Sequence, residues 1–354
     1  MASGAQIAPV ERGSFTGSGK EYFPIWIVNI LLTIVTIGIY SAWAKVRRKR
    51  YFYGNTVLAG HSFEYHAKGK QIFLGRLIAI GLIIVVNIAS ALNPIFGLIG
   101  TLIFLVLLPM FVVRSLRFNA RVTSYRNVRF DFVGKTGGAF VAVLLGSLVA
   151  ILSLGLLAPF ASRWLYRYVF NNLRYGDRPF ATDPGIGKLY KSLILPALMM
   201  VVGLVLVSIT AAAAIALTSQ GFPMDDDARA YAAVAAIYIG MFGFFIILAI
   251  AGIFYRIAVR NVVWNATTLD GRHRLMSDMG RFRYFWIVIS NLVVTVFTFG
   301  LMRPWAAVRE ARYIAEHSGI AFEGDLGEVF SSIQASGSAI SAEYLDMEGF
   351  DFGF

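Results

Sequence analysis

Four stretches of the chain, 72–92, 95–113, 192–218 and 231–253, are almost unbroken runs of apolar residues. A bilayer core about 30 Å thick is crossed by a helix of roughly 20 such residues. Within it every backbone N–H and C=O must find an internal partner. Four runs of this kind predict a multi-pass membrane protein. Composition points the same way. Of 354 residues, 57% are hydrophobic and 15% charged, against about 25% charged in soluble domains. Only Asn93 and Pro94 join the first two runs, which implies a tight turn between antiparallel helices. The last two are joined by a loop carrying Asp225, Asp226 and Asp227. Residues 1–21 contain no apolar signal-peptide core. Their glycine-rich stretch 13–19 lacks the Gly-Lys-Ser/Thr ending of a phosphate-binding loop, so they read as a flexible lead.

Three further apolar segments, 25–43, 139–160 and 285–305, are interrupted. Each has a glycine followed five residues later by an aromatic: Gly38 and Trp43, Gly155 and Phe160, Gly300 and Trp305. Pro159 and Pro304 precede the aromatic in the second and third. Glycine and proline at these places predict a hinge or break. The segments are copies of one unit. Asn29, Thr33, Thr36, Gly38, Trp43, Val46, Arg47, Arg50 and Tyr51 recur 262 residues later as Asn291, Thr295, Thr298, Gly300, Trp305, Val308, Arg309, Arg312 and Tyr313. The middle copy aligns at an offset of 117, through Gly155, Phe160, Arg167, Tyr168 and Asn172.

A smaller signature follows each apolar exit: an arginine with Asn, or once His, five residues on. The pairs are Arg50/Asn55, Arg114/Asn119, Arg167/Asn172, Arg260/Asn265 and Arg312/His317. An alternating polar–apolar stretch comes next. This predicts a helix leaving the bilayer, an Asn cap and a short strand, five of which would make a small sheet. The expected fold is an all-α membrane protein. Its pseudo-repeats each comprise one glycine-broken segment and two spanning helices, with short cytoplasmic strands after the helix exits. Repeat one covers 22–116 and repeat two 117–258. A linker with the third broken segment covers 259–316. Residues 317–354 form an acidic, mobile tail without Lys or Arg.

Nearly all of the 32 Lys and Arg residues lie in five stretches: 45–71, 114–135, 163–191, 256–283 and 303–312. The positive-inside rule assigns such stretches to the cytoplasm. All five share one side if the broken segments dip in and return. Seven full crossings are the alternative, and would put 163–191 outside.

The runs Gly19-Lys-Glu-Tyr-Phe-Pro-Ile-Trp-Ile-Val-Asn29, Leu32-Thr-Ile-Val-Thr-Ile-Gly-Ile-Tyr-Ser-Ala-Trp43 and Lys45-Val-Arg-Arg-Lys-Arg-Tyr-Phe-Tyr53 resemble the YjgN family of bacterial inner-membrane proteins, a domain of unknown function. The resemblance covers roughly residues 13–325. It implies a multi-pass protein of the bacterial inner membrane and brings no activity or catalytic residues. It implies one partner, a membrane metallopeptidase.

The spans contain no Asp or Glu, which disfavours proton- or sodium-coupled transport through carboxylates. Arg76, near one end of a span, is the exception among charged groups and reads as a snorkelling side chain. Asn29, Thr33 and Thr36, with Asn291, Thr295 and Thr298, form polar faces at helical spacing. They would line a groove or join helices by hydrogen bonds. Lys45, Arg47, Arg48, Lys49 and Arg50, with Arg309 and Arg312, are candidate contacts for anionic lipid headgroups, flanked by Tyr51, Phe52 and Tyr53. Beside a membrane segment this stripe does not read as a nucleic-acid site. Cysteine is absent, no His-Glu-x-x-His or Gly-x-Ser-x-Gly occurs, and Glu64 with His66 lacks a third ligand, so no metal, cofactor or catalytic centre is expected. The expected function is that of a scaffold or accessory factor working through its basic cytoplasmic face. The alternative is an uncoupled transporter or channel for a small or lipidic solute.

Overall fold

The structure is a computed structural model and describes residues 10–219, 225–324 and 327–333. Two residues set the shape of each broken segment. Ile37 and Gly38 have φ of 48° and 88°, Leu154 and Gly155 51° and 87°, Phe299 and Gly300 49° and 89°. A helix cannot continue through left-handed backbone, so each segment folds into a pair of short helices. The first pair is α1 (Gly19–Val35) and α2 (Ser41–Gly54). The inbound arm of the second is α5 (Thr136–Ala139), a π-helical turn Phe140–Leu145, and α6 (Gly146–Leu152). Its outbound arm is α7 (Ala158–Asn171). The third pair is α10 (Arg281–Phe297) and α11 (Arg303–Glu316). At each turn the glycine N–H bonds back to a carbonyl five residues earlier: Thr33 at 2.7 Å, Ala150 at 2.8 Å, Thr295 at 2.7 Å. A hydroxyl two residues before the glycine caps the next helix. Thr36, Ser153 and Thr298 accept from the N–H of Tyr40, Leu157 and Met302 at 2.9, 2.9 and 3.1 Å. Pro159 and Pro304 sit in the first turn of α7 and α11, where a missing N–H costs nothing.

The long pairs are α3 (Gly69–Leu92) with α4 (Pro94–Arg121), and α8 (Ile186–Thr218) with α9 (Asp226–Trp264). All four are long and apolar enough to cross a membrane, and their apolar windows are only 11% buried by protein. That much exposed aliphatic surface requires lipid around it. Asn93 Oδ1 accepts from Ile95 N at 2.8 Å and Asp225 Oδ1 from Ala228 N at 2.7 Å, capping the returning helices. The five pairs pack side by side in chain order, and α11 closes the ring against α1.

The all-α expectation holds only for the membrane layer. The segments between pairs build one eleven-stranded antiparallel sheet where five strands in a small sheet were expected. Its strands are β1 (Val10–Arg12), β2 (Ser14–Phe15), β3 (Thr56–Leu58), β4 (His61–Tyr65), β5 (Thr123–Tyr125), β6 (Val128–Phe132), β7 (Leu173–Tyr175), β8 (Arg178–Thr182), β9 (Thr267–Leu269), β10 (His273–Ser277) and β11 (Ser318–Ala321). Each alternating stretch is long enough for a hairpin, not one strand. Ala59-Gly60 and Arg126-Asn127 have positive φ at both positions, the two-residue turn that matches strand twist. The order is β1-β11-β10-β9-β8-β7-β6-β5-β4-β3-β2. Its two edges, β1 and β2, are halves of one strand separated by Gly13, so the sheet closes as a barrel. At this seam Gly13 N bonds Ser318 O at 2.8 Å, and a Cβ on Gly13 would lie 2.8 Å from Ala315 O. The lead assigned to 1–21 therefore supplies a barrel strand and the start of α1, and the tail assigned to 317–354 begins with β11. Of that tail, residues 325–326 and 334–354 lie outside the described residues, as do 1–9 and 220–224.

Both arms of every pair end on this barrel, so the broken segments return to the side they entered from. Arginine fixes the junction. Arg50 Nε and Nη2 donate to Tyr65 O and Ala67 O at 3.2 and 3.1 Å. Arg117 repeats this with Phe132 O and Gly134 O at 3.3 and 3.2 Å. Arg312 reaches Gly17 O at 3.1 Å. The second signature is thus Arg117 with Val122, the cap of α4, and not Arg114 with Asn119. The two readings differ by one helical turn, which sequence spacing does not resolve. In the fourth unit Asn261 and Asn265 take over, donating to Met279 O at 2.8 Å and Ser277 O at 3.0 Å.

Candidate functional site

Two grooves flank the contact between the first and third broken pairs. One, of about 500 Å³, is lined by Asn29 and Thr33 of α1, Lys45 and Arg48 of α2, Arg76 of α3 and Arg303 of α11. The other, of about 550 Å³, is lined by Arg48, Arg256, Tyr284, Asn291, Thr295, Arg303 and Glu310. Arg48 and Arg303 belong to both. The pairing arises because α11 packs on α1, bringing together copies that stand 262 residues apart.

The first groove has four cationic side chains in its wall and no carboxylate. Arg76 Nη1 donates to Ser41 Oγ at 2.5 Å. Its position inside a span serves this groove as well as the membrane surface. Asn29 is 7% exposed, and its Oδ1 is buried without a hydrogen-bond partner among the described residues. An orphaned acceptor of this kind costs about 1–3 kcal/mol. Burial and the charge of Arg76 hold the Lys45 ammonium below its usual pKa. The second groove is partly neutralised. Tyr284 Oη donates to Glu310 Oε1 at 2.5 Å and accepts from Arg256 at 3.2 Å. Asn291 Nδ2 donates to Ala306 O at 3.0 Å, and Arg309 donates to Asn291 Oδ1 at 3.3 Å and Ser290 Oγ at 2.8 Å.

The structure separates the sequence candidates. Asn29, Thr33, Asn291 and Thr295 line grooves. Thr36 and Thr298 are engaged in capping the turns at Gly38 and Gly300. Among the basic candidates, Lys45 and Arg48 line the first groove. Arg47 donates to Tyr40 Oη at 3.1 Å. Arg50 and Arg312 hold strand-end carbonyls, as described. Lys49 donates to Asn119 Oδ1 at 2.6 Å and lies 4.8 Å from the ring of Tyr65. Burial and the neighbouring Lys45 lower its pKa to about 8. Arg303, Arg256, Tyr284 and Glu310 were not legible as site residues. For Arg303 the available signal was a charge inside an otherwise apolar broken segment.

Elsewhere, His66 Nε2 lies 2.7 Å from Ser124 Oγ and 3.2 Å from Glu64 Oε2. Ser124 also donates to Glu64 at 3.1 Å. One ring nitrogen faces both partners, and Ser124 is 2% exposed. This is unlike a serine relay, in which acid and serine occupy opposite nitrogens and the hydroxyl is accessible. No group of three metal-ligating side chains occurs among the described residues. The chemistry available at the grooves is electrostatic: guanidinium and ammonium donors matched to phosphate or carboxylate oxygens.

A sequence profile described as "Bacterial protein of unknown function (DUF898)" matches residues 10–347. The chain belongs to this family. It is 26% identical over 357 residues to the inner membrane protein YjgN of Salmonella typhimurium, covering 88% of each chain. Over 119 residues it is 40% identical to the inner membrane protein YjgN of Escherichia coli O157:H7 and that of strain K12. Those matches span 33% of this chain and 30% of each relative. No solved structure matches. The family members named here are inner-membrane proteins, and four apolar helices support insertion of this one. No catalytic role is evident.

Proposed function

We propose that this protein is a non-enzymatic accessory protein of the bacterial inner membrane that binds anionic phospholipid headgroups in the grooves between its first and third broken pairs. The observation that carries this reading is the carboxylate-free groove of Lys45, Arg48, Arg76 and Arg303. Cations gathered without a counter-ion repel one another, and an anion relieves that repulsion. The basic barrel side is cytoplasmic in this reading, following the positive-inside rule. The polar faces favour transport less, because Thr36 and Thr298 are engaged by their own turns.

The test is lipid retention. Protein purified from membranes is exchanged into nanodiscs of phosphatidylglycerol and phosphatidylcholine, and bound lipid is counted by native mass spectrometry. Charged hydrogen bonds are worth about 1.5–3 kcal/mol each, so Arg48→Gln with Arg303→Gln should weaken phosphatidylglycerol retention by at least about tenfold. Unchanged retention in the folded double variant sinks the proposal. Solute flux in liposomes that Asn29→Leu with Asn291→Leu alters would favour a channel. A protein partner, such as a membrane metallopeptidase, that co-purifies without specific lipid would favour a scaffold.

A further inference from the structure

The barrel interior lines a second, different space, which is partly open. That interior holds Leu58, Tyr125, Tyr175, Leu269, Leu275 and Ile320, one or more from each hairpin. They surround a chamber of about 560 Å³ with almost wholly apolar walls. The helix ends, through Phe170 and Trp264, form its upper rim, and Phe330 of the helical segment 327–333 forms part of its floor. Packed interiors have few voids larger than a water molecule. An apolar cavity offers water too few partners to fill it. A chamber of this size is in the range of ligand sites, which bring a few polar groups to an apolar pocket.

One charged side chain reaches it, Arg260 of α9. Its guanidinium donates through Nη1 to Ser277 Oγ at 2.5 Å and Met279 Sδ at 3.0 Å and through Nη2 to Ser318 Oγ at 2.7 Å, which leaves the Nε and Nη2 edge available, and it lies 4.3 Å from the Trp264 ring. These partners are all neutral, and no carboxylate pairs with Arg260 among the described residues. A charge withdrawn from water without a counter-ion is unfavourable, and the planar fork of Arg matches a carboxylate with two parallel hydrogen bonds.

We infer that the barrel chamber binds one long-chain fatty acid, its carboxylate on Arg260 and its acyl chain along the apolar wall. A methylene occupies about the volume of a water molecule in the liquid, roughly 30 Å³. The chamber therefore holds a chain of up to about 18 carbons. This site lies on the barrel side of the helices and is independent of the groove at Arg48 and Arg303.

Native mass spectrometry of the full chain in detergent, with added hexadecanoate, tests this. The expected result is one hexadecanoate per chain, with affinity rising with chain length to about 16–18 carbons and falling for docosanoate. Arg260→Gln should weaken retention at least tenfold. Leu275→Trp, which fills the chamber, should abolish it, while Arg48→Gln with Arg303→Gln should leave it unchanged. If Arg260→Gln does not fold, the chain-length series and hexadecanol on the native protein decide. Absence of retention by the native protein would overturn the inference. So would hexadecanol binding as tightly as hexadecanoate, or retention that survives Leu275→Trp. Tighter binding of a lysophosphatidate than of hexadecanoate would overturn the carboxylate assignment.

Discussion

Replacing Arg117 by methionine keeps the aliphatic stem and removes the two bonds that hold the end of β6 to α4. Phe132 O, at 3.3 Å, belongs to a residue 2% exposed, and Gly134 O lies at 3.2 Å. Charged hydrogen bonds contribute about 1.5–3 kcal/mol each, and these are long, so the low end applies. Two at about 1.5 kcal/mol give about 3 kcal/mol. At roughly 2–4 °C per kcal/mol for a chain of this scale, the barrel should melt on the order of 6–12 °C lower. The assay is near-ultraviolet circular dichroism of the purified protein in detergent, which follows the packed aromatic side chains, the barrel tyrosines Tyr125 and Tyr175 among them, through the transition. Arg117→Lys should lose about half as much, since one ammonium cannot span both carbonyls in the same geometry. Arg283→Met, an exposed control, should shift by less than about 0.5 kcal/mol. A melting point for Arg117→Met within about 1 °C of the native protein would refute the claim that arginine fixes the helix–barrel junction.

Gly300→Val should destabilise by about 1–2 kcal/mol, because φ of 89° places a branched side chain in left-handed backbone; the same melt reads it. A Cβ on Gly69 would lie 2.4 Å from the Trp43 ring, so Gly69→Val should cost about 1–3 kcal/mol. Gly69→Val with Trp43→Ala should recover part of that loss in a double-mutant cycle. Stability should also vary at high pH with a defined sign. Lys49 ionises near 8 when folded and near its ordinary value when unfolded, so the unfolded state holds more protons between and stability rises from about pH 8 to 10. Tyr65 and Tyr125 are raised by burial to about 12, so their neutral forms favour the fold until pH passes about 10 and that contribution is then lost. Denaturant melts across pH 7–12 should therefore peak near about pH 10, and Lys49→Met should flatten the rising limb.

Several features were legible because they follow from local rules. Apolar runs of bilayer length mark α3, α4, α8 and α9. The glycines at 38, 155 and 300 mark the turns, since left-handed backbone is inexpensive only there. The asparagines at 55, 172 and 265 cap helices where the spacing suggested. Register was harder. Arg114 and Arg117 lie one helical turn apart, and only the position of β6 shows that Arg117 holds its end. The grooves were half legible: Asn29 and Asn291 were marked by the repeat, whereas Arg76 and Arg303 looked like single charges in apolar surroundings.

The sequence alone determined that the chain enters a membrane, where it breaks and which of its segments are copies. Hydrophobic length, glycine conformation and charge distribution act within a few turns of chain and need no partner to be read. Only the tertiary structure decided that the hairpins close into one barrel, because closure pairs Val10–Arg12 with Ser318–Ala321, strands some three hundred residues apart. The same closure packs α11 against α1, gathers Arg48 with Arg303, and surrounds Arg260 with apolar walls. Such long-range pairing depends on the summed twist and length of every intervening element, and no single stretch of sequence records that sum.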